Sequence, residues 1–194
     1  MKSAIILCGG LSKRMGKDKG LIVFDGEPLI VRILDKLKDY FDELLLVLRD
    51  DEQEREYLKV LKDYGNVKIF TDVIKGQGPL GGLLTGLLKV NSAHALVVPC
   101  DSPFITRGFI ENCLKIDLRD YDAIVPVWDD GRIEPLHAIY SKRIVDRIYK
   151  LLSKDERRAS ALVKIINSRL IPVDELDPSL ESFRNVNKPE DLGI

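Results

Sequence analysis

The sequence predicts an α/β protein, with a mainly parallel, mixed central sheet between two layers of helices in a single domain spanning residues 1–194. Two observations predict it. Apolar runs of strand length alternate with amphipathic runs of helix length along the chain, a rhythm that produces a parallel sheet covered on both faces. The chain also has 194 residues, 45% hydrophobic and 31% charged, enough to bury a full core without disulfides or structural metals.

The elements follow in order. Residues 3–8, SAIILC, read as a buried strand. Residues 28–40 read as a helix, with Leu29, Ile30, Ile33, Leu34 and Leu37 on one face. Residues 43–48 form a second strand, and residues 52–64 a charged surface helix ending before Gly65. Residues 67–71 are a third strand, followed by a glycine-rich loop and a helix over 80–90. Residues 95–99 make a fourth strand running up to Asp101, and Thr106 caps a helix reaching Leu114. Residues 123–127 and 136–140 read as strands around a turn at Asp129-Asp130-Gly131, adding an antiparallel edge. Helices over 142–152 and 160–167 and a strand over 170–173 complete the pattern, and residues 174–182, with Pro178, read as a surface loop.

Composition excludes several functions. Thirty basic residues face 31 acidic ones, for a net charge of −1, so no global field recruits nucleic acid or an anionic membrane. Three cysteines without a C-x-x-C spacing support neither a disulfide framework nor a zinc site. The apolar start is shorter than a signal peptide's core, and no stretch approaches the roughly 20 apolar residues that span a bilayer. A cytoplasmic protein with reduced thiols is expected.

Open sheets of this kind bind ligands beyond the carboxyl ends of their strands. Three unusual segments fall there: residues 9–19, 72–82 and 101–103. In the first, Gly9 and Gly10 let the backbone turn its N–H groups toward an anion. Ser12 adds a hydroxyl, Arg14 a planar fork and Lys19 a point charge, together the needs of a triphosphate. Adjacent glycines rule out the dinucleotide pattern G-x-G-x-x-G, and no G-K-[ST] completes a P-loop. Asp101, ending the apolar run LVVPC, is placed either to hold Mg²⁺ beside a phosphate or to cap the turn at Ser102-Pro103. Asp72 is a second rim acid, suited to base, ribose or metal water, or to a turn. Gly81 and Gly82 suit either ligand approach or close helix packing.

Together LCGGLSKRMGKDK (7–19), FTD (70–72), GPLGGL (78–83), PCDSPF (99–104), EPLHAIY (134–140) and NVNKPEDL (185–192) resemble the molybdenum cofactor guanylyltransferase family. That resemblance implies a Rossmann-like three-layer α/β/α sandwich of the nucleotide-diphospho-sugar transferase type. It implies transfer of GMP from GTP to the terminal phosphate of molybdopterin, giving the guanine dinucleotide cofactor and pyrophosphate, with Mg²⁺ as cofactor. It also implies residue roles. Leu7, Cys8 and Gly9, with Gly10, Ser12, Lys19, Asp72 and Asp101, bind the nucleotide; Arg14, Lys19 and Asp101 are catalytic, and Asp101 is the metal ligand. Arg157, Arg158, Asn185 and Asn187 bind the acceptor. Partners implied are GTP, molybdopterin and proteins of the molybdenum cofactor pathway.

The sequence departs from the family in three places. Cys8 stands where relatives usually have alanine. Val47 or Leu48 stands where an asparagine contacts the nucleotide. Glu134-Pro135 replaces a His-Pro, with His137 two residues on, readable as a catalytic or acceptor-contacting group or as a structural histidine. Alternatives are a cytidylyltransferase on the same cofactor, a sugar-1-phosphate or phospholactate nucleotidyltransferase, or, in a different class, a noncatalytic GTP-binding protein that delivers the cofactor.

Overall fold

The computed structural model describes residues 2–9, 18–62, 64–65, 67–186 and 191. At its centre is strand β1 (Ser3–Leu7), every residue buried. It is followed by a small hairpin, β2 (Val23–Phe24) and β3 (Glu27–Pro28), turned by Asp25 and Gly26 at positive φ. Next come α1 (Leu29–Leu37), β4 (Glu43–Leu48), α2 (Asp51–Val60), β5 (Val67–Thr71), α3 (Gly78–Lys89), β6 (His94–Pro99) and α4 (Arg107–Lys115). The chain ends with β7 (Ala123–Val127), β8 (Ile139–Ser141), α5 (Val145–Leu152), α6 (Ala159–Val163), β9 (Ser168–Pro172) and the short α7 (Val173–Leu176).

The described strands form a seven-stranded sheet in the order β5-β4-β1-β6-β8-β7-β9. All pairings are parallel except those of β8, which runs antiparallel to both β6 and β7. The antiparallel strand therefore lies inside the sheet, not at the expected edge; the edge beyond β7 is β9, paired in parallel. Strand β8 is also shorter than the sequence suggests, because Leu136 and His137 lie in the turns before it.

Alternation along each central strand divides the core in two. Ala4, Ile6 and Cys8 face α1, α4 and Tyr57 of α2. Ile5 and Leu7 face α3, α5 and α6. Helix α3 packs so closely that a Cβ on Gly86 would lie 2.6 Å from Ile5 Cγ2. Thr106 caps α4 as expected, its hydroxyl accepting from the Phe109 N–H at 3.1 Å.

Residues 174–182 are not a plain surface loop. They include most of α7 and the start of a 3₁₀ turn, with Asp177 and Ser182 buried. The Asp177 carboxylate accepts from Ser179 and Ser182, and the Ser182 hydroxyl accepts from the Thr106 N–H. These bonds satisfy the polar groups that would otherwise keep the segment in water. The three cysteines are buried and free, with Cys8 and Cys100 on neighbouring strand ends.

Candidate active site

A cavity of about 690 Å³ opens at the carboxyl ends of β5, β4, β1 and β6. The sheet order alone brings the three predicted segments there, since β1 sits between β4 and β6 and β5 flanks β4. Leu7, Cys8, Gly9, Lys19, Asp72 and Asp101 all line it. Arg14, Gly10, Ser12 and Asn187 lie outside the described residues.

At one end of the cavity Lys19 Nζ lies 2.7 Å from Asp101 Oδ2. Lys19 rides on a 3₁₀ turn over Lys19–Leu21, capped by Asp18, whose carboxylate accepts from the Gly20 N–H at 3.2 Å. Asp101 follows β6 and is held through its own backbone, since its carbonyl accepts from the Val186 N–H at 2.7 Å. Among the described residues no three His, Cys, Asp or Glu side chains gather to hold a metal. A lone carboxylate does fit an ion such as Mg²⁺, which takes most of its oxygens from phosphate and water.

At the other end lies Asp72, buried and facing Gly9, whose Cβ position would be 3.6 Å from Asp72 Oδ2. Burial pushes the carboxyl up to about 6, partly offset by the Thr85 hydroxyl. Gly82 also lines this end, where a Cβ would come within 3.3 Å of Leu7 Cδ2, so it serves ligand approach and helix packing together. Gly81 is constrained by its own helix cap, with a Cβ falling 2.7 Å from Gln77 Cβ. Val47, at the place where the resemblance leads one to expect asparagine, is buried in β4; Arg49 lines the cavity instead, its Nε donating to Asp50 at 2.7 Å.

The backbone beside Gly9 is already engaged. The Leu7 carbonyl accepts from the Cys100 N–H, and the Cys8 N–H donates to the Val47 carbonyl. The Cys8 carbonyl accepts from Gln53 Nε2 at 2.7 Å. Gln53 and Tyr57 are buried members of α2, which the sequence presents as a charged surface helix. Tyr57 is the aromatic that stands out on that helix, but nothing local marks Gln53 as buried.

The predicted acceptor residues separate. Ser102, fully buried, donates its hydroxyl to Asn185 Oδ1 at 2.5 Å. His137 Nε2 lies 2.9 Å from the same hydroxyl oxygen and donates to it. His137 Nδ1 is left without a hydrogen-bond partner, and burial pulls the ring down to about 4. Neither Asn185 nor His137 is among the residues that line the cavity, and His137 is a structural group that holds Ser102. Arg157 lines the cavity beside the α3 N-terminus, where its carbonyl accepts from the Leu80 N–H at 3.4 Å. Arg158 points to solvent, paired with Glu156.

A mostly parallel sheet with a lysine, carboxylates and glycine backbone gathered in a cavity at its carboxyl rim is the arrangement of a nucleotidyltransferase of the nucleotide-diphospho-sugar transferase fold. Residues 4–170 match the MobA-like NTP transferase domain, and the chain belongs to that family. It is 46% identical to the probable molybdenum cofactor guanylyltransferase of Methanothermobacter thermautotrophicus over 100% of this chain and 98% of that protein. The protein of the same name from Methanosarcina mazei is 31% identical over 98% of this chain and 88% of its own length. Among solved structures, molybdopterin-guanine dinucleotide biosynthesis protein A from Archaeoglobus fulgidus superposes with a TM-score of 0.82 at 25% identity, covering 98% of this chain and 95% of that one. No helix among the described residues is long and apolar enough to cross a membrane.

Proposed function

We propose that this chain transfers GMP from GTP to the terminal phosphate of molybdopterin, releasing pyrophosphate and forming the guanine dinucleotide cofactor. The Lys19–Asp101 contact in the cavity carries the reading, and the names of its relatives supply the acceptor. The acceptor phosphate, already ionised near neutral pH, attacks the α-phosphorus in line. The bond to the β-phosphate oxygen breaks and pyrophosphate leaves. No strong general base is required, which suits a site whose nearest histidine is buried and neutral. Catalysis then rests on positioning and on charge neutralisation.

Lys19 meets the leaving phosphates, joined by Arg14 from the glycine loop. Magnesium held by Asp101 would supply further neutralisation of phosphate charge. Gly9 and Asp72 face the nucleoside, and Asn185, fixed by Ser102, presents its NH₂ to the acceptor. Arg157 adds a cation on the α3 side. The setting we infer is the cytoplasm, where three free thiols stay reduced.

The test is pyrophosphate release from GTP, CTP, ATP and UTP, with and without molybdopterin. Release with GTP that depends on molybdopterin supports the reading. Release with CTP alone replaces it with cytidylyl transfer. Nucleotide binding without turnover leaves a carrier protein.

A further inference from the structure

Gln53 holds three separate walls of the cavity with one side chain. Only 2% of it is exposed. Its Nε2 donates to the Cys8 carbonyl, at the end of β1, and to the Asp18 carboxylate, beside Lys19. Its Oε1 accepts from the Arg49 N–H at 2.6 Å, at the end of β4. Both amide protons and one lone pair are thus committed to segments far apart in sequence.

The Asp18 carboxylate is equally committed. Besides Gln53 it accepts from the Tyr57 hydroxyl at 2.5 Å and from the Gly20 N–H. Tyr57 is fully buried, and Gly20 lies so close that a Cβ would sit 2.3 Å from the tyrosine oxygen. The turn that carries Lys19 is therefore pinned to α2 from both sides.

A buried amide stabilises a core poorly unless every partner is in place. An apolar residue would fill this position on α2 if packing were the only need. Each of the three partners is a backbone group or an acid of a residue that lines the cavity. We propose that Gln53 is a positioning residue of the active site. Its amide sets the distance between the Cys8–Gly9 backbone, at the nucleoside end, and Lys19, at the phosphate end.

The chemistry of the amide makes this testable. Glutamate at position 53 has no donor for the Cys8 carbonyl and sets a second carboxylate against Asp18. Asp18→Asn alone sets donor against donor. In the double variant Asp18→Asn with Gln53→Glu the bond between the two side chains is restored in the opposite sense, since the asparagine NH₂ donates to the glutamate, which still accepts from the Arg49 N–H; the Cys8 carbonyl alone stays without its donor, so recovery is partial. Gln53→Glu is expected to lower kcat about a hundredfold, the scale of a small misplacement of reacting groups, while KM for GTP moves less than about threefold. The double variant is expected to regain about tenfold in kcat. Tyr57→Phe, which removes one bond to Asp18 and keeps the ring, is the variant to use if Gln53→Glu does not fold; it should lower kcat several-fold at unchanged KM.

The proposal rests on the nucleotidyltransfer reading for its kinetics, so binding of inorganic pyrophosphate provides a readout independent of base and acceptor. Affinity for pyrophosphate should drop about tenfold in Gln53→Glu and recover in the double variant. A wild-type chain that binds pyrophosphate but turns over no nucleotide would sink the functional reading while leaving this test intact. Unchanged kcat and pyrophosphate affinity in Gln53→Glu, or recovery of melting temperature without recovery of either, overturns the positioning role. So does a wild-type chain that fails to bind pyrophosphate.

Discussion

Lys19 Nζ contacts Asp101 Oδ2 at 2.7 Å across 82 positions of sequence. The two side chains remain 24% and 21% exposed, so the pair adds at most about 1 kcal/mol to stability. On the proposed reading its value is proximity, because it sets a cation and a carboxylate side by side at the cavity wall. Asp101→Ala is expected to abolish turnover with the fold intact, measured as pyrophosphate release beside a thermal melt. Lys19→Ala should cut kcat/KM by well over about tenfold. Activity within a few fold of wild type in either variant removes that residue from the mechanism.

Asp72 and His137 impose opposite pH dependences on stability. Asp72, raised to about 6 from 3.8, keeps its proton in the native state while the unfolded chain loses it, so its contribution to stability declines as pH rises through that window. His137, lowered to about 4 from 6.5, stays neutral while the unfolded chain gains a proton, so stability declines as pH falls through its window. The two effects partly cancel between pH 4 and 6. Asp72→Asn should therefore be more stable than wild type above pH 6, by about 3 kcal/mol, and should steepen the loss on acidification. Unfolding curves at pH 4.5 and pH 8 check this; equal differences at both pH values contradict it.

The same titration reaches the ligand. An ionised Asp72 accepts hydrogen bonds from a nucleoside, and a protonated one offers a hydroxyl. GTP affinity should weaken as pH falls through about 6 in the wild type and lose that dependence in Asp72→Asn. Titration calorimetry across pH decides the point.

Ser102 separates the acceptor side from the nucleotide side. Its hydroxyl donates to the Asn185 amide and takes the His137 ring N–H, while its own N–H donates to the Pro99 carbonyl and is kept in an alanine variant. Ser102→Ala should raise KM for the acceptor by about tenfold, the weight of one buried hydrogen bond, at unchanged GTP affinity. Equal weakening of both substrates would show that the serine supports the Asp101 turn rather than the asparagine.

Gly86 provides a stability control distant from the chemistry. A methyl there meets Ile5 Cγ2 at 2.6 Å and Cδ1 at 2.8 Å, and overpacking of this kind costs about 1–3 kcal/mol. Gly86→Ala should lower the melting temperature while KM for GTP holds. A variant as stable as wild type would mean that α3 can slide on the sheet.

Much of the fold was legible because buried parallel strands are unbroken apolar runs. Glu43–Leu48 occurs where the pattern put it, as does the half-buried edge strand Val67–Thr71, whose apolar run is instead interrupted by Lys68, and the convergence of Gly9, Lys19, Asp72 and Asp101 followed from strand ends alone. The hairpin of Val23–Phe24 and Glu27–Pro28 was not legible, because two residues per strand carry no period. The interior place of β8 was hidden as well, since three residues of strand do not announce their neighbours. Gln53 was invisible for a different reason. A polar residue on a charged helix reads as solvated, and its burial depends on partners supplied by Cys8, Asp18 and Arg49, which no local pattern reveals.

The reversed direction of β8 shapes how such a site can diversify. Strands β1, β4, β5 and β6 deliver residues to the rim from their carboxyl ends, each followed by a crossover whose helix must pack on a face. Strand β8 begins at that rim, so Leu136 arrives there from a connection with no helix to place. The exposed tip of that connection, residues 129–132, can therefore lengthen or change composition without repacking either helical layer. It is the natural place for sequences of this architecture to accommodate bulkier second substrates while the nucleotide half stays as it is.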